Sequence, residues 1–349
     1  MEPIRVLVTG AGSGVGQGII KALNISNLSV EIISADISPY NAALYRTDNS
    51  VIIPKVEEKK SLEKIIHLIN INRIHVVLIG SEFDLSFFSE NKDTIETQTN
   101  AVVIASPVDT VKKADDKWLT AEFLRKNNLP YPESYLPKNT QDAIDVANCW
   151  GYPVLIKPRS GTSNRHVHIL YTPEEINHIF QQISAPVLQK IIHMPDVKLK
   201  NEFTCSIFKT RNGKILGPFT ARRTLKGGAS WIVEVDCFKE LYPILSTIGE
   251  KMDILGSMNI QLMLDDKNVA VPFEFNARFS GTTAIRAHFG FNEPEMSIRN
   301  YYLNENIDQP VKIGKGIVFR YLEEVFIDNA TYFDLNSSSK IKGHVASWF

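Results

Sequence analysis

Cysteine is scarce in this chain. Three occur in 349 residues, at Cys149, Cys205 and Cys237, far apart and without a CxxC spacing. That excludes a disulfide framework and reads as unpaired thiols in a reducing compartment. Long apolar runs are also missing: none approaches the roughly 20 residues that span a bilayer. An excess of one charge is missing too, with 38 Lys and Arg against 39 Asp and Glu and a formal net charge of -1. Such a balance argues against a broad nucleic-acid-binding surface and against an acidic disordered tail. There is no internal repeat and no long low-complexity segment. No signal-peptide apolar region precedes the first strand pattern at Ile4–Thr9. The expectation is a cytoplasmic protein with neither membrane nor nucleic acid as partner. Its length is too great for one small core, so two or three subdomains are expected.

The N-terminus carries strand, glycine-rich turn, helix, strand and acid in that order. Residues 4–9 form the strand, Gly10 to Gly16 the turn, and Gln17–Leu23 the helix. Glu31–Ala35 form the next strand, which ends at Asp36. This is the opening of a doubly wound α/β sheet. It also fits the Thr-Gly-x-x-x-Gly-x-Gly pattern of short-chain dehydrogenases, at Thr9, Gly10, Gly14 and Gly16, with Asp36 where a ribose-binding acid would stand. An NAD(P)-dependent oxidoreductase is therefore the alternative function. Its proton-donating Tyr-x-x-x-Lys pair is missing, because no tyrosine here is followed four positions on by lysine. The favoured reading of the glycines is a tight turn and close helix–strand packing.

Further on, Ser61–Asn72 reads as an amphipathic helix on Leu62, Ile65, Ile66 and Ile69. Val76–Ile79 reads as a buried strand, followed by Ser81, Glu82 and Asp84. Ligands of open parallel sheets bind beyond strand carboxyl ends, so Glu82 and Asp84 are weak substrate-binding candidates. They serve equally well as a helix cap with acids in its first turn. Val102–Ala105 is another strand. Residues 111–130 read as one helix. Gly151–Lys157 and Val167–Leu170 form two strands around a small-residue loop with Lys157 at its mouth, a device that folds backbone N–H groups over phosphates. His166 and His168 read as surface or packing residues. Thr172 caps a helix with Pro173 at its first position. Val187–Ile192 and Asn201–Phe208 are strands, and Lys239–Gly256 a long helix. Glu295–Leu303 is expected as a helix, and Gly316–Glu323 and Val325–Ile327 as strands.

The stretch from Asn259 to Gly281 is the centre of the pattern. Two alternating segments flank the turn-forming Asp265–Asn268, which predicts a β-hairpin. If residue 264 pairs with 269, then 261 opposes 272 and 259 opposes 274. Strand alternation puts Val269, Val271, Phe273 and Phe275 on one face and Glu274 and Asn276 on the other. Gln261 then lies diagonal to Glu274, roughly 7–8 Å away. One carboxylate, two amide oxygens and the nearby Arg278 suit a hard cation carrying phosphates. The plainer reading is a half-solvated hairpin.

The order of these pieces resembles the ATP-grasp superfamily, and within it one half of the carbamoyl-phosphate synthase large chain. The resemblance covers residues from about 1 to 310. It rests on Asp116-Lys117, Ile156-Lys157-Pro158 with the Ser160–Asn164 loop, Gln189-Lys190-Ile191-Ile192, Glu202-Phe203-Thr204, and Gln261 followed by Glu274-Phe275-Asn276-Ala277-Arg278. The chain departs from that pattern in its glycine-poor phosphate loop and in the long segment His193–Asn201 before Glu202.

The resemblance implies an α/β fold, α+β in the nucleotide domain. A Rossmann-like preATP-grasp domain (1–110) would precede a lid subdomain (111–190), a metal and catalytic subdomain (191–310) and an extension (311–349). It implies an ATP- and Mg²⁺-dependent carboxylate–amine ligase, with Mn²⁺ as the alternative ion. The reaction would run through an acyl phosphate and release ADP and phosphate. Lys117, Lys157, Ser160, Gly161, Thr162 and Ser163 would take the phosphates. Gln189, Lys190, Ile191 and Ile192 would take adenine, and Glu202 the ribose. Gln261, Glu274 and Asn276 would hold the metal. Arg278 and Arg223, the latter with Arg222 as its neighbouring candidate, would act on the carboxylate or phosphoryl group. Small-molecule carboxylates and amines are the implied partners, and a homodimer the implied assembly.

Overall fold

The structure is a computed structural model that describes residues 2–161, 166–193, 199–307, 311–327 and 345–346. The first sheet is built from β1 (Ile4–Thr9), β2 (Val30–Asp36), β3 (Asn49–Ile52), β4 (Val76–Ile79) and β5 (Val102–Ile104). Its helices are α1 (Gly14–Asn24), α2 (Ser61–Ile71), α3 (Glu82–Glu90) and α4 (Lys92–Thr99). All its strands are parallel, in the order β3-β2-β1-β4-β5. The chain reverses its winding between β1 and β4, so their carboxyl ends open a crevice there. Val6 and Val8 pack on one side of the sheet and Leu7, Ile33 and Val77 on the other. Burial on both faces is why these strands read as continuous apolar runs.

The glycines between β1 and α1 have a packing cause. Gly10 has φ of +52°, and a Cβ on it would stand 2.4 Å from the Ser81 Cβ; one on Gly16 would stand 2.3 Å from the Gly10 carbonyl oxygen. Asp36 accepts a hydrogen bond from the Gly12 N–H at 2.8 Å, so its carboxylate closes the turn.

The expected helix over 111–130 is two helices, α5 (Val108–Asp115) and α6 (Lys117–Lys126). Asp116 breaks it. Its backbone is extended, and its carboxylate accepts from the Trp118 and Leu119 N–H groups at 2.9 and 3.2 Å. An N-cap side chain satisfies donors that a helix start leaves open, so a new helix begins there. Arg159, just past the end of a later strand, holds the same carboxylate at 2.9 Å.

A four-stranded antiparallel sheet follows, formed by β6 (Ser134–Tyr135), β7 (Val154–Pro158), β8 (His168–Leu170) and β9 (Pro186–Lys190), with α7 (Thr140–Trp150) and α8 (Pro173–Ile179) packed on it. The last sheet has six strands. β10 (Glu202–Lys209), β11 (Ile215–Lys226) and β12 (Ala229–Val235) precede α9 (Tyr242–Lys251), and β13 (Gly256–Leu264) and β14 (Ala270–Asn276) follow it. α9 is shorter than the expected 239–256 helix, since Gly256 already opens β13. Its Leu245 and Ile248 pack on Phe203, Ile260 and Phe275. Cys205 lies in the same core, where burial pushes its thiol up to about 12.

After β14 come α10 (Thr283–His288), α11 (Glu293–Ser297) and a π-helical turn at Ile298–Tyr302 where a single helix was expected. β15 (Gly316–Phe319) pairs antiparallel with β12. The segment read as a separate extension therefore supplies the edge strand of the large sheet. Phe326–Ile327 pairs with Val345–Ala346.

Candidate active site

A cavity of about 650 Å³ lies between the four-stranded and six-stranded sheets. It is lined by Lys117, Lys157, Gly161, Gln189, Lys190, Ile191, Ile192, Glu202, Arg223, Gln261 and Glu274, all singled out from sequence. Leu155, Val167, Ile169 and Met263 add apolar walls that no spacing pattern indicated. Thr162 and Ser163 lie outside the described residues.

The hairpin has a different register from the expected one. Leu264 pairs with Ala270 and Leu262 with Pro272; then a bulge at Phe273 puts Gln261 directly opposite Glu274 and Asn259 opposite Asn276. A β-bulge adds one residue and so reverses which face follows it. Phe273 and Glu274 can thus both line the cavity while Phe275 stays in the core. Strict alternation had put Phe273 with Phe275, away from Glu274. The loop closes through the Asp265 N–H to the Val269 carbonyl at 3.0 Å, with Asn268 at φ of 59°.

The polar groups form one chain. Glu202 accepts from Arg223 Nε at 2.9 Å and Nη2 at 2.7 Å, and Nη2 also reaches Gln261 Oε1 at 2.6 Å. Gln261 Nε2 and Asn276 Nδ2 donate to the same oxygen of Glu274, at 2.8 and 3.1 Å. Glu202 is therefore the ion-pair partner of Arg223 and does not stand free. Arg222 points to the opposite face of β11, as its neighbour in a strand must. There it pairs with Glu234 at 2.9 Å and lies 5.0 Å from the Phe238 ring, outside this cavity.

Two lysines face this chain. Lys117 Nζ donates to the Gly161 carbonyl at 3.0 Å. Lys157 is buried, 5.9 Å from the Phe273 ring. Burial pulls its ammonium down to about 8; Glu274 opposes that shift and Lys117 adds to it. Among the described residues Lys157 makes no direct ion pair, so a cation held there is poised to gain by taking up an anion. Gln189 is buried and donates to Ser134 Oγ at 2.8 Å. The Lys190 N–H is taken by the Glu133 carbonyl at 2.9 Å, and its ammonium by the Glu133 carboxylate at 2.8 Å.

The donors fit a hard cation in part. Among the described residues no three His, Cys, Asp or Glu gather into a metal cluster. Glu274 is joined only by amides, whose N–H groups now face it. Mg²⁺ binds through one or two carboxylates plus substrate phosphates rather than in an all-protein cage. One carboxylate and two amides that can turn their oxygens inward match that kind of site.

A smaller cavity of about 380 Å³ adjoins the first at Gly161. Glu82, Asp115, Ser160, Asn276 and Arg278 line it. Arg278 Nη2 donates to Glu82 at 2.5 Å across 196 positions of sequence. Asp84 is not there. Residues two apart on a helix point about 200° away from each other, and Asp84 turns inward, where burial raises its carboxyl to about 6. Sequence reasoning also missed a fully buried ion pair, Arg286–Glu293 at 3.1 Å, behind β13. Neither residue carries a motif or spacing that singles it out in the sequence.

Comparison with known proteins agrees with this geometry. Residues 6–103 match the family described as PylC-like, N-terminal domain, and residues 114–282 match the ATP-grasp domain. The carbamoyl phosphate synthase large chain of Helicobacter pylori is 23% identical over 307 residues, covering 80% of this chain and 27% of that protein. The C-terminal section of the Methanopyrus kandleri large chain is 24% identical over 299 residues, covering 80% of this chain and 54% of that one. The chain thus spans about a quarter to a half of these relatives. Among solved structures, carboxyaminoimidazole ribonucleotide synthase from Aspergillus clavatus complexed with ATP superposes with a TM-score of 0.69 at 16% identity, over 90% of this chain and 81% of that one. The biotin carboxylase domain of Hydrogenobacter thermophilus 2-oxoglutarate carboxylase gives 0.72 at 14% identity, over 99% and 83%. No described helix is long and apolar enough to cross a membrane. The two family matches together cover most of the chain. With a doubly wound first sheet followed by a buried lysine facing a Gln–Glu–Asn cluster, this chain carries a PylC-like N-terminal domain and an ATP-grasp domain.

Proposed function

We propose that this protein is an ATP-dependent carboxylate–amine ligase. The observation that carries this is the hydrogen-bonded chain Glu202–Arg223–Gln261–Glu274–Asn276, facing Lys117 and Lys157 across one cavity. The apolar end of that cavity suits adenine. The lysines and Arg223 suit the phosphates. Glu274, with the amide oxygens of Gln261 and Asn276, would hold Mg²⁺, which when bound neutralises charge on the phosphates. Phosphoryl transfer needs aligned atoms and compensated charge more than covalent help from the protein.

A substrate carboxylate oxygen attacks the γ-phosphorus, and the bond to the bridging oxygen breaks with its electrons leaving on ADP. An amine nitrogen then attacks the acyl carbon, phosphate departs with the C–O electrons, and the nitrogen loses its proton. Arg278 orients the carboxylate in the two-pronged way a guanidinium favours. An acyl phosphate must be kept dry; most of the loop expected from sequence to close over it, 162–164, lies outside the described residues. The assembly is proposed to be a homodimer.

The test is ADP release from Mg·ATP against a panel of amino acids and sugar acids, with and without amines. Release dependent on one carboxylate–amine pair supports the ligase. Failure to bind Mg·ATP at all would overturn it, and tight NAD(P)H binding would restore the oxidoreductase reading.

Lys157 sets a pH dependence. Its charged form is the one that attracts phosphate, and it is lost as pH rises through about 8. The affinity for Mg·ATP should be flat from pH 6 to 7.5 and then weaken by at most about tenfold per pH unit. Lys157→Met should bind weakly and without that slope. A Lys157→Met variant that binds Mg·ATP as tightly as the wild type would show that Lys157 is not a phosphate ligand.

A further inference from the structure

The smaller cavity carries an unusual combination of charges. Arg278 is its one cationic side chain among the described residues, and Glu82 and Asp115 are its two acids. The guanidinium is largely buried, with 11% of its side chain exposed, and Glu82 pairs with only one of its nitrogens. A second nitrogen donates to the Phe279 carbonyl at 2.7 Å. Arg278 Nε is buried with no hydrogen-bond partner among the described residues. A buried N–H without an acceptor is costly, so this edge of the guanidinium favours an incoming oxygen.

A plain carboxylate answers that need badly. It would reach Arg278 only beside the carboxylates of Glu82 and Asp115, with no cation to offset them. A sugar phosphate would fare worse, since no second basic group stands among the described lining residues. A ligand that carries its own ammonium beside its carboxylate answers both charges. It gives an oxygen pair to Arg278 and a cation to Glu82. The remaining walls mix apolar Leu85, Val111, Ala114, Phe275 and Ala277 with the hydroxyls of Ser86 and Ser160 and the amide of Asn276, and Phe83 at 76% exposure forms a lip. At about 380 Å³ the space lies at the low end for ligand pockets.

We propose that the carboxylate substrate is an α-amino acid, bound as its zwitterion, with a small or medium side chain. This rests on the ligase reading above. The α-carboxylate sits at Arg278, next to Asn276 and the phosphate end of the larger cavity. The α-ammonium sits at Glu82. An ammonium clamped by a carboxylate has no lone pair, so the substrate's own nitrogen is kept from attacking the acyl phosphate, and the amine must come from a second molecule.

The experiment measures ADP release from Mg·ATP with alanine, valine and leucine of both configurations. Each is compared with the matching 2-hydroxy acid and N-acetyl amino acid, with hydroxylamine as the amine. The zwitterion should exceed its 2-hydroxy and N-acetyl counterparts by at least about tenfold in kcat/KM, because an unpaired site acid rejects the analogue. Glu82→Gln should raise KM for the amino acid and shrink that preference toward one. The Kd for Mg·ATP, measured by calorimetry on the same variant, reports whether it has folded. If ADP release is driven as well by the 2-hydroxy or N-acetyl forms, or if Glu82→Gln keeps the full preference, the inference falls and the ligase reading stands. No release with any amino acid, while Mg·ATP still binds, also overturns it. Absence of Mg·ATP binding by the wild type sinks both readings.

Discussion

Glu274→Ala should lower kcat/KM for ADP release by about 10³-fold or more, a loss of ~4 kcal/mol of transition-state stabilisation. Glu274 is the one carboxylate of its cluster. Gln261 and Asn276 both donate to it, and Arg223 reaches it through Gln261. Its removal leaves two amides and a guanidinium, and the remaining carboxylate of that hydrogen-bonded chain, Glu202, is already paired with Arg223. Glu274→Gln separates charge from shape: it keeps the volume and one acceptor oxygen yet loses the charge, and should fall nearly as far. The folded state of both variants should survive, because the side chain faces the cavity and not the core. Initial-rate kinetics at saturating Mg²⁺, with circular dichroism as the control for folding, decides the matter. Full activity in Glu274→Ala would remove the metal assignment.

The second large effect concerns stability. Glu293→Ala should cost about 3–5 kcal/mol, the usual consequence of leaving a buried charge without its partner. Arg286 and Glu293 are both fully buried. The Glu293 carboxylate accepts from Arg286, from Ser257 Oγ at 2.5 Å and from Ser206 Oγ. Arg286 donates in turn to Asn259, which also accepts from Thr204 Oγ1 at 3.0 Å. Asn259 lies opposite Asn276 across the hairpin, so the same cluster braces the proposed metal strand from behind. Urea unfolding should show a lower midpoint with little change in slope. The double variant Arg286→Met with Glu293→Leu should recover most of the loss, since an apolar pair of similar volume replaces both charges. A cost under about 1 kcal/mol for Glu293→Ala would mean that water compensates Arg286, contrary to its full burial.

Much of the site was visible in one dimension because its parts are local. Lys157 ends a strand before a small-residue loop. Glu274, Asn276 and Arg278 follow one another on a short segment. The glycines before α1 sit where a tight turn needs them. Such signals depend on neighbours a few positions apart, and the period of a strand or helix records them. Fold class followed from the order of those elements.

What the sequence could not supply was register and partnership, which depend on contacts between distant segments. The bulge at Phe273 moves one residue and thereby turns Glu274 to face Gln261 directly; alternation alone has no means to announce it. The break at Asp116 is a capping decision, fixed by two N–H groups and by Arg159 from another element. Arg278 finds Glu82 across 196 positions, and Arg286 finds Glu293 only because α10 and α11 fold back behind β13. Charge type and spacing are written along the chain. Which charges meet, and which are left buried with an open hydrogen bond, is decided by the packing of the sheets, since only there does removal from water make the pairing matter.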